Sequence, residues 1–121
     1  MSSSEKVGYV NLSSNKVTVK EIPEQLLRQY LGGRGINAYL LYNHSKKGMD
    51  PLNPESPIIF GAGFFSGYLT NAGSRVHISG KSPETGVYGD TNMGGSIGAE
   101  LRYAGFQHLA INGQADKPVY L

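Results

Sequence analysis

Eleven of the 17 glycines in this chain fall between Gly61 and Gly105. Glycine loses more backbone entropy on folding than any other residue, so such a density is retained only where the main chain must take left-handed dihedrals or approach something closely. Over all 121 residues the glycine share is roughly twice the ordinary one. It has no three-residue period and no accompanying Pro, Ser or Gln bias, which excludes a collagen-like chain and a disordered linker. The glycines serve a folded backbone, and the stretch they crowd is where function is expected.

The totals narrow the class. At 13.0 kDa residues 1–121 form one domain, too small to hold both a large cofactor and a substrate pocket of its own, which points to part of a longer protein. Eleven Lys and Arg against nine Asp and Glu give a net charge of +2, and apart from Lys46-Lys47 the cations are scattered. That pattern lacks the basic stripe that a nucleic acid would need. The absence of cysteine excludes disulfides and any iron–sulfur or thiolate metal site within the chain. Met1 to Lys6 lacks an apolar signal core, and no apolar run approaches the roughly 18 residues that span a bilayer. A cytoplasmic protein with neither a membrane nor a nucleic acid as partner is expected.

Alternating apolar and polar residues over Val7–Asn11 and Lys16–Glu21, joined by Ser13-Ser14-Asn15, predict an antiparallel hairpin. Pro23 and the acid Glu24 open a short helix running to Leu31, stopped by Gly32-Gly33. Gly35 opens a second helix, with Ile36, Tyr39 and Leu40 at helical spacing, that dies in His44-Ser45-Lys46-Lys47-Gly48. Pro51, Pro54 and Pro57 make the next segment an irregular loop. Ile58-Ile59-Phe60 reads as a buried strand, Arg75–Ser79 as an alternating one and Val87-Tyr88 as a brief extended pair. Ser96–Tyr103 reads as a helix closed by Ala104-Gly105, and His108–Asn112 and Pro118–Leu121 as the last strands. Strands and short helices mix without a βαβ rhythm. The fold class is therefore α+β, with mixed or antiparallel β-sheets and short helices.

Two glycine patterns imitate dinucleotide-binding loops, and neither has the required context. Gly33-Arg34-Gly35-Ile36-Asn37-Ala38 follows a helix rather than a strand, so a phosphate would have no strand-to-helix turn to occupy. Gly61-Ala62-Gly63-Phe64-Phe65-Ser66 follows a strand but leads into the turn-rich Gly67–Gly73, which cannot open a crossover helix; it reads as a glycine-lined loop packed under aromatic residues. A better constellation joins Ser74-Arg75 to Thr91-Asn92-Met93-Gly94-Gly95-Ser96. Gly94-Gly95 at the mouth of a helix would let an anionic or planar ligand approach unpaired N–H donors. Arg75 offers a fork of donors for a phosphate or heterocycle, and Asn92 an amide and a carbonyl for a hydrogen bond or a metal. The same residues also fit a plainer arrangement, in which Ser96 caps the helix, Asn92 takes a left-handed turn and Arg75 is a solvated strand residue. His44, His77 and His108 stand more than thirty residues apart, without ligand-spaced partners, and read as surface or strand histidines rather than metal ligands. Asp90, Glu100 and Arg102 read as solvated charges.

Val10-Asn11-Leu12-Ser13, Leu31-Gly32-Gly33-Arg34-Gly35, Asp50-Pro51-Leu52-Asn53-Pro54-Glu55, Ala62-Gly63, Lys81-Ser82-Pro83-Glu84-Thr85-Gly86, Asn92-Met93-Gly94-Gly95, Gly98–Phe106 and Lys117-Pro118-Val119-Tyr120 stand in this order along the chain. In that order and spacing they resemble the N-terminal domain of the tungsten-containing aldehyde ferredoxin oxidoreductase family. The resemblance implies sheets that form part of the base for a tungsten (or molybdenum) bis-pyranopterin, with a magnesium ion linking the pterin phosphates. It places Arg75 at a pterin-contacting arginine, Asn92 at the position whose backbone carbonyl helps hold magnesium, and Gly94, with Gly95 beside it, at a pterin-contacting glycine. It also implies oxidation of aldehydes to carboxylic acids. Electrons would pass to a 4Fe-4S cluster bound by residues outside this chain and then to ferredoxin. The partners implied are the remainder of a longer polypeptide and ferredoxin, and pairing of two copies is one way to cover exposed strand edges. The chain's length also fits a stand-alone, non-catalytic binding or assembly module, dimeric on the same half-domain.

Overall fold

The structure, a computed structural model, describes residues 5–68 and 71–121; Met1–Ser4, within the N-terminal stretch that lacks an apolar signal core, and part of the Gly67–Gly73 turn lie outside them. The expected hairpin is present as β1 (Lys6–Asn11) and β2 (Lys16–Glu21). Its turn closes because Asn11 Oδ1 accepts from the N–H groups of Ser13 and Ser14 and Asn15 takes the left-handed conformation that asparagine tolerates. Helices α1 (Glu24–Tyr30) and α2 (Arg34–His44) follow. Ile36, Asn37, Leu40 and Leu41 form one buried stripe on α2. Strands β3 (Ile58–Ala62), β4 (Val76–Lys81) and β5 (Tyr88–Met93), helix α3 (Ile97–Tyr103) and β6 (His108–Asn112) complete the fold.

The six strands make one mixed sheet in the order β2-β1-β6-β3-β4-β5, in which the β1–β6 pair alone is parallel. This is the α+β class expected. The strand β5 is longer than the Val87-Tyr88 pair foretold, because all six of its residues pair with β4 although Gly89, Asp90 and Asn92 are poor strand formers. Pro118–Leu121 forms no strand.

On one face of the sheet Val7, Ile59 and Ala110 pack against Ile22, Ile36, Leu40 and Leu41, with Tyr9, Leu26 and Leu27 partly buried around them. The ladder register places Val17, Val10, Ile111 and Ile58 in one row across the opposite face, where Val17 and Ile58 are exposed.

A polar pin holds α2 to the sheet inside that core. Asn37, fully buried, donates from Nδ2 to the carbonyl of His77 (2.9 Å), with Ile59 O and Ser79 Oγ each at 3.2 Å, and its Oδ1 accepts from His108 Nδ1 at 2.8 Å. One helix side chain therefore addresses β3, β4 and β6 together. The sheet makes room with Gly61, where a Cβ would collide with Asn37 Oδ1 and His108 Nδ1.

Two outcomes follow for stability. Gly61→Ala overpacks this junction and lowers the unfolding free energy by about 1–3 kcal/mol, read as a reduced denaturant midpoint. Burial, and after it the Arg102 guanidinium, pushes the His108 imidazole down to about 3. In the unfolded chain the ring titrates near 6.5, so below that pH the unfolded state takes up a proton that the folded state refuses. Stability from this group is full above about pH 6.5 and falls toward pH 3, by up to about 1.4 kcal/mol per pH unit. Urea midpoints from pH 7 to 4 check this, with His108→Gln losing less than the wild type across the interval.

Candidate functional site

The main-chain reversal between α1 and α2 forms one wall of a cleft of about 270 Å³. Leu31, Gly32, Gly33 and Arg34 supply that wall, Gly63 and Phe64 line the cleft just past the end of β3, and Arg75, His77 and Asn92 complete it. Leu31 sits at φ +64 and Gly33 at φ +50, so the reversal keeps a non-glycine residue in the left-handed region, a conformation that concentrates at functional sites. The cleft therefore joins Gly33-Arg34, the start of the segment that imitates a dinucleotide loop, to Arg75 and Asn92 from the second half of the chain. A larger groove of about 710 Å³ beside α2 carries Lys46, Lys47 and Lys81. Two of those lysines are committed, Lys46 to Glu55 and Lys81 to the carbonyl of Met49.

Arg75 is anchored by its backbone. Ser66 Oγ, fully buried, accepts from the Arg75 N–H (3.2 Å) and lies 3.1 Å from the Arg75 carbonyl, which also accepts from the N–H of Gly63 (2.9 Å). Helix α3 closes against the same peptide through Gly98, where a Cβ would stand 3.0 Å from the Arg75 carbonyl oxygen. Among the described residues no carboxylate pairs with the Arg75 guanidinium, which leaves its donors available to an anion.

Asn92 lies in β5 and not in a left-handed turn. The register sets it directly opposite His77. The His77 ring is buried, with Nδ1 2.8 Å from Asn92 Oδ1 and Nε2 3.0 Å from Asp90 Oδ2. Asp90 in turn accepts from Arg34 Nη2 at 2.9 Å. Asp90 is thus a paired strand residue rather than a free loop charge, because the sheet brings it beside a helix residue 56 positions away. Arg102 is likewise paired, to Glu5 at 2.6 Å.

Gly94 and Gly95 continue from the end of β5, outside the cleft wall. Neither has an atom within 4 Å of where a Cβ would stand. Gly95 needs glycine for its φ of +87, whereas no packing contact requires one at Gly94. Ser96 has helical dihedrals and makes no side-chain cap, so the capping role foreseen for it is not played. Phe64 and Phe65 are exposed and do not cover the loop that carries them. Among the described residues no cluster of three His, Cys, Asp or Glu side chains can hold a metal, and no helix is long and apolar enough to cross a membrane.

Residues 7–121 match the family described as Aldehyde ferredoxin oxidoreductase, N-terminal domain. The tungsten-containing aldehyde ferredoxin oxidoreductase of Pyrococcus furiosus is 41% identical over 112 residues, which cover 93% of this chain and 18% of the relative. The aliphatic sulfonate oxidoreductase, WOR-like subunit, of the same organism is 35% identical over 116 residues, again covering 93% and 18%. Among solved structures, the active site complex BamBC of benzoyl coenzyme A reductase with 1,5-dienoyl-CoA superposes with a TM-score of 0.92 and 31% identity, covering 96% of this chain and 18% of that one. The fold and the matches define an N-terminal domain of the type these relatives carry. The chain belongs to the aldehyde ferredoxin oxidoreductase family. It spans about 18% of the length of the relatives it matches.

The anchoring of Arg75 has a direct test. Ser66→Ala removes a buried hydroxyl from the main-chain groups of Arg75 and Gly73 and lowers stability by about 1–3 kcal/mol, measured by denaturant unfolding.

Proposed function

We propose that residues 1–121 are a single cofactor-binding domain of a longer oxidoreductase. That enzyme converts an aldehyde and water to a carboxylic acid, releasing two protons and two electrons. The electrons pass through a tungsten (or molybdenum) bis-pyranopterin to a 4Fe-4S cluster bound outside this chain, and then to ferredoxin, in the cytoplasm. The observation that carries the reading is Arg75, held by its backbone with no carboxylate on its guanidinium among the described residues, in one cleft with Asn92 inside a chain-long family match.

The residues present fit such a cofactor. Arg75 offers parallel N–H donors suited to a phosphate or a pterin edge. The open space around Gly94 and Gly95 admits a planar ligand against the main chain, a contact that a side chain there would obstruct. Asn92 is carried on β5, the edge strand of the sheet, where alternate main-chain carbonyls lack a ladder partner. A carbonyl at that position is the hard oxygen ligand that magnesium prefers beside phosphates. The bound metallopterin supplies the two-electron chemistry, and this chain supplies its orientation. Relatives named for aldehydes and for sulfonates share this domain, which favours a role in placing the cofactor over a role in choosing the substrate.

Metal and pterin analysis of the natural polypeptide tests the reading. The wild type is expected to carry tungsten or molybdenum together with pterin, and Arg75→Ala to retain roughly one tenth as much pterin, the loss of a charged hydrogen bond. A natively purified wild type without either metal and without pterin overturns it.

A further inference from the structure

We propose that His77 is a positioning residue that, braced by Asp90 and Arg34, fixes Asn92 for its cofactor contact; the inference rests on the reading of Asn92 given above. Asn92 is exposed and stands on an edge strand, so its side chain and peptide lack the packing that immobilises a central strand residue. Its fixed neighbour is the His77 ring, whose side chain is 5% exposed and lies directly across the β4–β5 ladder. Nδ1 meets the Asn92 amide oxygen at 2.8 Å while Nε2 is tied to Asp90 at 3.0 Å, so the ring cannot rotate away from Asn92 without breaking its second bond. Asp90 is itself held by Arg34 from the first turn of α2. Tyr88, at 3.4 Å from Nε2, closes the remaining side and is anchored to Ser79 Oγ at 2.8 Å.

His77 makes no side-chain bond to the Asn37 pin, which takes only its main-chain carbonyl. The polarity of the ring is spent on Asn92, Asp90 and Tyr88. That is how an outer partner of a metal ligand is arranged: it makes no contact with the metal but restricts the ligand that does. Magnesium demands near-ideal geometry at about 2.0–2.1 Å from its oxygens, so a ligand on an edge strand gains more from such a brace than one in a sheet interior.

The test uses the natural polypeptide purified with its cofactors, and reads magnesium and pterin per chain before and after dialysis against EDTA. In His77→Asn the new amide reaches the place of Nδ1 and keeps the contact to Asn92, whereas in His77→Gln it reaches the place of Nε2 and keeps only the contact to Asp90. The expected result is that His77→Gln loses magnesium about 10–100-fold more readily than the wild type and that His77→Asn restores most of the retention. Val7→Ala, in the apolar core on β1 and outside this network, lowers the thermal midpoint without changing magnesium retention. Equal retention, or equal loss, in the two His77 variants overturns the proposal. If neither variant folds, Asn92→Ala decides, since it keeps the main-chain carbonyl and removes the amide oxygen that His77 holds: a roughly tenfold loss supports the positioning role and full retention overturns it. A wild type that carries no pterin or magnesium overturns the cofactor reading and this proposal with it, a result visible before any variant is compared.

Discussion

The side chain of Asn37 is the constraint on which the rest of the structure depends. An amide enclosed in a hydrophobic core costs free energy unless its donors and acceptor are met, and here they are met by groups from three strands. That requirement fixes the depth at which α2 sits on the sheet and its register along it, which apolar contacts such as Ile36 and Leu40 against Ile59 leave looser. It also dictates Gly61, because no Cβ fits between Asn37 and His108. With α2 fixed, Gly33 and Arg34 at its start are fixed as well, and they form one wall of the cleft.

The opposite wall is built on a second principle. Arg75 and Asn92 flank the ends of β4 and β5, at the margin of the sheet, where main-chain groups remain accessible to a ligand. Accessibility brings mobility, and small buried polar groups counter it: Ser66 grips the Arg75 peptide and His77 grips Asn92. A rigid interior under an open margin suits the cofactor-placing role proposed for this domain, since a site that is ordered before binding spends less binding energy on ordering itself.

Much of the architecture was legible in the sequence because it rests on local signals. Period-two alternation marked the β1–β2 hairpin, Pro23 and the Gly32-Gly33 pair bounded α1, and helical spacing marked α2. The edge strand β5 was understated, because Gly89, Asp90 and Asn92 have little strand propensity and the ladder to β4 alone makes them extended. Arg75 and Asn92 could be singled out, and the cleft does bring them together. Arg34, Asp90 and His77 carry no such local signal, for one physical reason: each gains its meaning from a partner distant in sequence, and the spacing of Arg34 and Asp90, 56 residues, carries no local signature.

The glycine crowding between Gly61 and Gly105 divides along the same line. By itself the sequence determined that this backbone must do what side-chain-bearing residues forbid, and that the family pattern runs almost the length of the chain. Only the tertiary structure decided which glycine answers which need. Gly61 yields to Asn37, Gly98 to the Arg75 peptide, Gly95 to a left-handed turn, and Gly94 to no packing contact. The reason is that a missing Cβ is a statement about the space beside the backbone, and that space is created by residues from other strands and helices when they pack.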